Sequence, residues 1–376
     1  MLIGIIPAVA IIVIVLIDAF EVVLLPRRVR HGLRLARHYY QISWIIGRAA
    51  ARLLPAGRWR TGFLSTFGPL SLFVLVITWA VGLILGFALL HWSLGVAIST
   101  ANAGFTTYLY FSGTTFFTLG YGDLVPTGAV GRALSVAESG MGFVFLAAVV
   151  GYLPVLYQAF SRREITIALL DARAGSPPCA GELLRRLTVG KSPTGPGPFL
   201  VEWERWSADL LESHISFPVL SYYRSQHENQ SWVAALTTIL DTSALILACA
   251  ESPDSYQARL TFAMARHAAV DLALVFQLSP LPPVDRLSSD DLSRLHEQLR
   301  AAGMPINEQT HVAASLAKLR GLYEPVVNAL AAHFLFTLPP FQLEQPPVDN
   351  WQTSPWMPRS PGIGDLPSAG RDDHFD

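Results

Sequence analysis

Two long apolar segments with a short one between them constrain the fold of this 376-residue chain more than any other feature. The segment Pro69 to Leu90 is uncharged, and its roughly 22 residues would make about 33 Å of helix, enough to cross a bilayer. Ala129 to Phe160 is apolar again, whereas Phe105 to Phe117 is too short to span. The short segment suits a half-helix that enters the membrane and returns, surrounded by protein. The pattern predicts an all-α membrane protein with a re-entrant pore helix.

The six residues that follow the short segment read TLGYGD, from Thr118 to Asp123. Potassium filters line a narrow passage with backbone carbonyls and a threonine hydroxyl, which together replace the ion's hydration shell. Gly120 and Gly122 have no Cβ, so their backbone can turn successive carbonyls the same way. The motif predicts a K⁺ filter, and the alternative is a glycine-rich loop between ordinary spans. The expected ion-binding residues are Thr118, with its hydroxyl, Leu119, Gly120, Tyr121 and Gly122.

With these residues in place, Phe67 to Gln158 resembles the pore module of tetrameric potassium channels, and in particular the bacterial two-helix channels. The order of outer helix, pore helix, filter and inner helix matches, and GDLVPTGAVGRALS resembles the filter exit of that family. The resemblance implies a homotetramer, because a fourfold carbonyl cage needs four filters and this chain has one. It also implies passive K⁺ conduction, with no enzymatic step and no cofactor besides the permeant ion.

The surroundings of the filter depart from the family pattern at two positions. Phe117 stands where many potassium channels have a second threonine or serine. Thr114 stands where some relatives have a glutamate that bonds to the filter aspartate. We therefore expect Asp123 to bond to Tyr110 instead, with Thr114 nearby as a further filter support.

Glu138 is the one acidic residue in the predicted inner helix, where an ionisable group is costly unless it has a partner. One hypothesis is that Glu138 braces the filter or the pore helix and so tunes inactivation. Its partners there would be Thr114, Thr115 or Ser112. The alternative is a carboxyl group at a helix interface, satisfied locally by Ser135 or Ser139.

Glycines in the same helix are candidates for a gating hinge. Gly142 falls where the related channels carry their gating glycine, and Gly140 and Gly151 are further candidates. A glycine inside a helix indicates either a bend point or a close contact between helices. Both interpretations stay open at Gly142.

The N-terminal part predicts an additional membrane helix and an interfacial helix. Leu2 to Leu25 is apolar, and a signal peptide is disfavoured because Asp18 and Glu21 lie within it and no basic leader precedes it. Arginines concentrate between Pro26 and Arg60, which places that loop in the cytoplasm by the positive-inside rule. We expect a multi-pass protein of the bacterial plasma membrane with a cytoplasmic C-terminal domain.

Val29 to Arg48 interleaves apolar, aromatic and arginine residues, which favours a helix on the membrane surface with anionic lipid as its partner. A voltage sensor is the sharper alternative, because four arginines approach a three-residue period. They are Arg27, Arg30, Arg34 and Arg37. Only one predicted helix precedes them, which disfavours that alternative.

Ser161 to Asp376 is long enough for a soluble domain, and proline and glycine divide it into helical segments without strand-like alternation. A nucleotide-binding Rossmann domain and a cyclic-nucleotide jelly roll are therefore not expected. The predicted helices run near Phe199 to Ile215, Val219 to Cys249, Ser255 to Leu278, Ser289 to Ala302 and Glu308 to Phe336. The expected parts of the chain are 1–25, 26–66, 67–160, 161–338 and a disordered proline-rich tail at 339–376.

A polar and aromatic cluster in the helical domain could form a pocket for an unknown cytoplasmic ligand. Its residues are Tyr222 to Trp232, His214, Asp241, Arg266, His267 and Asp271. Buried hydrogen bonds or subunit contacts explain the same residues. The spacing matches no metal motif, the two cysteines Cys179 and Cys249 are expected to be reduced thiols, and no nucleic-acid partner is expected.

Two alternatives to a potassium channel remain at the level of sequence. One is a weakly selective cation channel. The other is a non-conducting membrane-anchored sensor or scaffold that uses the pore fold only to assemble.

Overall fold

A computed structural model of the protein describes residues 4–23, 35–55, 57–100, 103–189, 195–225, 230–249, 254–282, 284–304 and 309–343. The chain divides into two compact units, Met1–Gln158 and Ala159–Asp376. Across these described ranges the regular structure is helical, and the only extended pairing is an isolated bridge between Ile98 and Pro126. The prediction of an all-α membrane protein is confirmed.

The first unit contains the long apolar helices and the short helix between them. Its helices are α1 (Ile5–Val23), α2 (Leu35–Leu53), α3 (Arg58–Ser93), α4 (Phe105–Phe116) and α5 (Ala129–Ala174), of which α5 ends in the second unit. α1, α3 and α5 are each long and apolar enough to cross a membrane. The interfacial helix was expected at Val29 to Arg48, but α2 begins at Leu35, and residues 29–34 lie outside the described part of the chain.

The core of the first unit forms where α1 packs against α3. Leu83 and Trp79 are buried in it together with Ile12 of α1. A Cβ added to Gly86 would lie 2.6 Å from Ile12 Cγ1, and one added to Gly82 would lie 2.9 Å from a methyl of Val15. These glycines therefore let α1 approach α3 closely, as small residues do between membrane helices.

The second unit is a bundle around a central apolar helix. Its helices are α6 (Ala180–Val189), α7 (Gly197–Ser216), a 3₁₀ helix (Pro218–Tyr222), α8 (Trp232–Cys249), α9 (Ser255–Val275), α10 (Ser289–Ala301), α11 (Gln309–Gly321) and α12 (Glu324–Phe334). α8 is also long and apolar enough to span a membrane, but 94% of its apolar window is buried inside the unit, against 17% for α5. The apolar surface of α8 is thus covered by other helices.

Two predicted helices of this unit are wrong because each is two elements. Val219 to Cys249 was expected as one helix, but α8 begins only at Trp232, where the Ser231 hydroxyl accepts a hydrogen bond from the Ala234 amide at 3.0 Å. By accepting from this backbone amide, the serine side chain caps the first turn of a new helix. Glu308 to Phe336 divides into α11 and α12 because Pro325, in the first turn of α12, cannot continue a preceding helix.

Other boundaries also differ from the sequence expectation. The inner helix was expected to end near Phe160, but α5 continues to Ala174 and buries Ile167 and Leu170. α6 was not predicted at all. The start of the predicted disordered tail is packed, since Phe341 is fully buried and its carbonyl accepts from the Gly181 amide at 2.9 Å. Residues 344–376 lie outside the described residues.

Candidate functional site

The segment after α4 has a backbone that only a few residue types favour. Thr118, Gly120 and Gly122 have φ values of 56°, 54° and 80°, so alternate residues take the left-handed region. This region is easy for glycine and costly for threonine. A chain that alternates between left- and right-handed residues can direct successive carbonyls toward one side. The five predicted ion-binding residues thus lie on one strained, non-helical segment.

α4 fixes the start of this segment with backbone hydrogen bonds. The Thr118 amide donates to the Thr115 carbonyl at 3.0 Å, and the Leu119 amide donates to the Thr114 carbonyl at 2.8 Å. Beyond Leu119 the chain leaves the helix. Leu119 and Tyr121 are 54% and 69% exposed in the single chain, so the segment lies at the surface of the first unit.

The far end of the segment is held by the loop that follows α3. The Ser99 hydroxyl donates to the Asp123 carbonyl at 3.2 Å and accepts from the Val125 amide at 3.1 Å. The Thr127 amide donates to the Ala97 carbonyl at 2.9 Å. The candidate filter is therefore anchored at both of its ends by hydrogen bonds to main-chain groups.

The structure places the Tyr110 hydroxyl near the Asp123 carboxylate, where the two groups interact electrostatically. Thr114 does not reach this carboxylate. Its hydroxyl donates to the Phe111 carbonyl at 2.9 Å, within its own helix. Among the predicted supports of the filter, Tyr110 thus lies beside Asp123, and Thr114 contributes through its backbone.

Glu138 is fully buried and contacts side chains of two other helices. Ser112 on α4 donates to Glu138 Oε1 and also lies 2.8 Å from the Ile84 carbonyl. Nε2 of His91, at the end of α3, lies 3.2 Å from Glu138 Oε2. His91 is itself fully buried, and its ring packs edge-on against Phe111 at 5.3 Å.

His91, Ser112 and Glu138, here called the three-helix bracket, join the outer, pore and inner helices. Ser112 was one of the three partners proposed for Glu138, whereas Thr115 bonds within α4 and Ser135 bonds within α5. His91 was missed. The only signal in the sequence was a histidine at the end of an apolar span, which by itself does not identify its partner.

The two glycines of the candidate hinge have different surroundings. A Cβ on Gly142 would lie 2.0 Å from the backbone carbonyl oxygen of Phe116, the last residue of α4. A Cβ on Gly140 would meet nothing within 4 Å. α5 is continuous through both positions. Close packing against the pore helix therefore accounts for glycine at position 142, and no contact accounts for it at position 140.

The described residues of the polar cluster predicted in the second unit fall into several separate contacts. His214 is buried against Arg163, Asp241 is buried against Arg286 and Tyr323, and Tyr222 packs on Phe334. Arg266 donates to the Leu322 carbonyl, and His267 and Asp271 form an exposed pair at 3.7 Å. His227 and Glu228 lie outside the described residues. Most of this cluster makes structural contacts between helices.

No group of three or more potential metal-ligating side chains occurs in the part of the chain that the structure describes. Cys179 and Cys249 are buried free thiols, and burial raises the pKa of Cys179 to about 11. A thiol with such a pKa stays protonated and unreactive at neutral pH. Burial likewise raises the pKa of Cys249 to about 12, so both thiols are poor nucleophiles.

Comparison with known proteins finds a family match within the first unit and one relative whose match extends beyond it. The family described as "Ion channel" matches residues 70–158. The uncharacterized membrane protein YdjJ of Bacillus subtilis (strain 168) is 27% identical over 277 residues, which cover 71% of this chain and 78% of YdjJ. Protein LctB of Bacillus caldotenax is 36% identical over 92 residues, covering 21% of this chain and 67% of LctB. No solved structure matches the chain with significance.

Proposed function

Because this chain belongs to the ion channel family, we propose that it is a potassium-selective channel that conducts K⁺ passively through a homotetrameric pore. The observation that carries the proposal is the TLGYGD segment directly after a short helix, with left-handed backbone at Thr118, Gly120 and Gly122. Carbonyls of this segment, together with the Thr118 hydroxyl, would replace the hydration shell of K⁺.

Four copies of the segment are needed for one pore, and each chain supplies one. The exposure of Leu119, Tyr121 and the preceding Phe117 in the single chain supports an arrangement in which other copies cover this surface. A fourfold carbonyl cage then forms around the common axis. Conduction in this proposal involves no bond chemistry, so the pore itself requires no ligand besides the permeant ion.

Selectivity in this proposal depends on holding the carbonyl positions. Asp123 is held by the Ser99 loop and has Tyr110 beside it, and the pore helix is held from behind by the three-helix bracket. These contacts resist widening of the filter. Gating would act through the inner helix, with Gly140 as the freer bend point, or through the filter itself, under the control of an unidentified ligand of the helical domain.

The proposed location is the bacterial plasma membrane, with the arginine-rich segment before α3 in the cytoplasm. α3 and α5 each cross the membrane once and α4 is re-entrant, so the two crossings leave the helical second unit in the cytoplasm as well. Reaction of a single introduced cysteine with an impermeant maleimide in intact cells tests this topology. Arg259 on α9 is exposed, so Arg259→Cys should stay unlabelled until the cells are lysed. Labelling of this cysteine in intact cells would place the second unit outside.

The deciding experiment is K⁺ flux through the purified protein in liposomes, with Na⁺ as the competing ion. We expect selective flux that is lost in Gly120→Ala, because the left-handed backbone at this position strains any side chain. Gly128→Ala is the matched control, since a Cβ there meets nothing within 4 Å and the φ is not left-handed. Equal Na⁺ and K⁺ flux would indicate a weakly selective channel, and absence of flux after removal of residues 175–376 would favour a scaffold.

A further inference from the structure

α2 has three sides with different surroundings. One side is buried and carries small residues and a tryptophan, namely Ala36, Trp44, Gly47 and Ala51. A second side is apolar but exposed. The third side is basic. The exposed apolar and basic sides adjoin each other along the helix, because their residues repeat at spacings that follow the 3.6-residue turn.

The buried side fastens α2 to both neighbouring helices. Asp18 of α1 accepts from the Ala36 amide at 3.1 Å and from Trp79 Nε1 of α3 at 2.8 Å. The Tyr39 hydroxyl donates to the Ser71 carbonyl of α3 at 2.7 Å. A Cβ on Gly47 would lie 2.8 Å from the Phe67 ring. These contacts fix the rotation of α2, so its other two sides have a defined direction.

The exposed apolar side is a continuous strip. Its large side chains are between 44% and 88% exposed, and they are Leu35, Ile42, Ile45, Ile46 and Leu53. Exposure of such a strip to water is unfavourable in free energy, because its branched aliphatic side chains would be hydrated. We therefore expect the strip to contact an apolar partner.

Three arginines follow the edge of this strip. Arg37, Arg48 and Arg52 are separated by eleven and four residues, which returns each to the same side of the helix. None of them makes a hydrogen bond or ion pair with any described residue, whereas Arg163 and Arg286 of the second unit are each bonded to several groups. The positive charges of α2 are thus uncompensated within the described chain.

We propose that this outer surface of α2 binds anionic phospholipid, with the apolar strip among the acyl chains and the three arginines on the headgroup phosphates. An apolar strip beside a basic one matches the boundary between acyl chains and anionic headgroups. Arginine stems can lie along the apolar surface while the guanidinium groups reach the phosphates. A second copy of α2 fits worse as the occupant, because it would place like charges side by side.

Lipid binding to α2 would also affect the helices of the first unit that hold the candidate filter. This consequence rests on the proposed function. α2 is fastened to α3, whose other end carries His91 of the three-helix bracket. Lipid that holds α2 therefore restrains α3. We expect K⁺ flux to change with the fraction of anionic lipid in the liposome.

The test measures lipid retained by the detergent-purified full chain after exchange into an equimolar mixture of phosphatidylglycerol and phosphatidylcholine. The triple variant Arg37→Gln, Arg48→Gln, Arg52→Gln should lower the preference for phosphatidylglycerol by about tenfold or more. The control triple Arg205→Gln, Arg259→Gln, Arg300→Gln removes the same charge from exposed helices of the second unit and should leave the preference unchanged. The triple Arg→Lys variant of α2 keeps the charge and should largely keep the preference.

Two further measurements separate the contributions. Raising the salt from low to high concentration should reduce the phosphatidylglycerol preference of the wild type, since exposed charges are screened. Ile42→Ser with Ile46→Ser should weaken retention of both lipids alike. An unchanged preference in the α2 Gln variant, with normal elution on size exclusion, would overturn the proposal. So would efficient crosslinking of Ile46→Cys between subunits, which would show that another copy covers the strip.

The lipid test stands apart from conduction. If the wild type retains phosphatidylglycerol through α2 but shows no flux, even after removal of residues 175–376, the proposed channel function fails and the lipid site remains. If flux is selective but the α2 Gln variant retains and responds to phosphatidylglycerol like the wild type, the lipid site fails and the channel remains.

Discussion

At the scale of single residues, the burial of Glu138 is possible because its two carboxylate oxygens have separate partners. Ser112 contacts one oxygen, and His91 lies at 3.2 Å from the other. A buried polar group that loses its partner costs about 1–3 kcal/mol. The bracket therefore stabilises the first unit mainly by keeping each of its own members paired.

The first prediction concerns His91. We expect His91→Leu to lower the free energy of unfolding by about 1–3 kcal/mol and to speed the decay of K⁺ currents, because it leaves one oxygen of Glu138 without a donor. His91→Gln retains an amide donor and should restore part of both properties. Thermal unfolding in detergent and electrical recordings measure the two effects. If Leu and Gln behave alike, the hydrogen bond to Glu138 is not what His91 provides.

The second prediction contrasts the two glycines of α5. Gly142→Ala should destabilise the protein and reduce flux, since its Cβ would lie 2.0 Å from the Phe116 carbonyl oxygen and would displace the end of the pore helix. Gly140→Ala meets no atom within 4 Å and should be neutral or slightly stabilising for the helix. The same unfolding and flux measurements apply to both. A change of gating in Gly140→Ala at unchanged stability would support that position as the proposed bend point, and unchanged gating would argue against it.

Residue roles could be predicted from the sequence where a motif of neighbouring residues determines them. They could not be predicted where they depend on contacts between residues far apart in the chain. TLGYGD specifies its own backbone through two glycines, so the candidate filter was found from six letters. Glu138 was recognised by its cost in an apolar helix, and Ser112 was named among its possible partners. His91 could not be named from the sequence. The side of α3 that faces α5 is decided by packing, and the apolar span of α3 has no periodicity that predicts this side.

At the scale of elements, the C-terminal end of α5 is held in the second unit by a buried arginine. Nη1 of Arg163 donates to the Leu220 carbonyl at 2.9 Å and lies 3.0 Å from His214 Nε2. Because a guanidinium group only donates, Nε2 must accept, and the proton sits on Nδ1, 2.8 Å from the Leu210 carbonyl. This arrangement requires a neutral His214.

The third prediction follows from that requirement. Burial, and then the charge of Arg163, hold the pKa of His214 well below its usual value. The unfolded chain takes up the histidine proton below about pH 6.5 and the folded chain does not, so stability should fall as the pH is lowered from that value. Thermal unfolding of the full chain between about pH 8 and about pH 5 measures this loss of stability. His214→Gln, whose carbonyl can accept from Arg163, should show a smaller fall.

A control for this pH dependence is present in the same unit. His267 is exposed beside Asp271, and His267→Gln is the matched substitution against which the change in His214→Gln is judged. Glu164, which pairs with Arg163, is the other titratable group at the buried contact. An equal pH dependence in wild type and His214→Gln would mean that groups other than His214 dominate.

Element types were predictable from the sequence to a larger extent than element ends. Uninterrupted apolar runs identified α1, α3 and α5, and proline-bounded segments identified most helices of the second unit. The breaks before Trp232 and before Glu324 were missed because a serine hydroxyl and Pro325 decide the local backbone there, and no glycine or proline marks the polar stretch from Tyr222 to Ser231. α6 is ten residues long, too short for its apolar spacing to stand out.

At the scale of the whole molecule, composition and hydropathy distinguished a membrane part from a helical part, but they gave no ligand for the latter. The described polar groups of the second unit are largely engaged with one another, as in the contacts of Asp241 with Arg286 and Tyr323. Patterns in one chain record which residues prefer the interior. They do not record what a surface binds, and for that reason the regulation of the pore was outside the reach of the sequence.

The fourth prediction uses subunit mixing to count the chains around one pore. If four filters are needed at once, a tetramer with one Gly120→Ala subunit should not conduct, because a single displaced carbonyl layer breaks the cage. Co-expression of equal amounts of wild type and Gly120→Ala should then leave about one sixteenth of the wild-type flux per protein, if subunits assemble at random. Equal mixing with Gly128→Ala should leave it unchanged. A residual flux of about one quarter would instead indicate that two chains make the pore. A residual flux of about one half would mean that each chain conducts alone. The same measurement therefore distinguishes a shared filter from any arrangement in which the filter segment is not at the common axis.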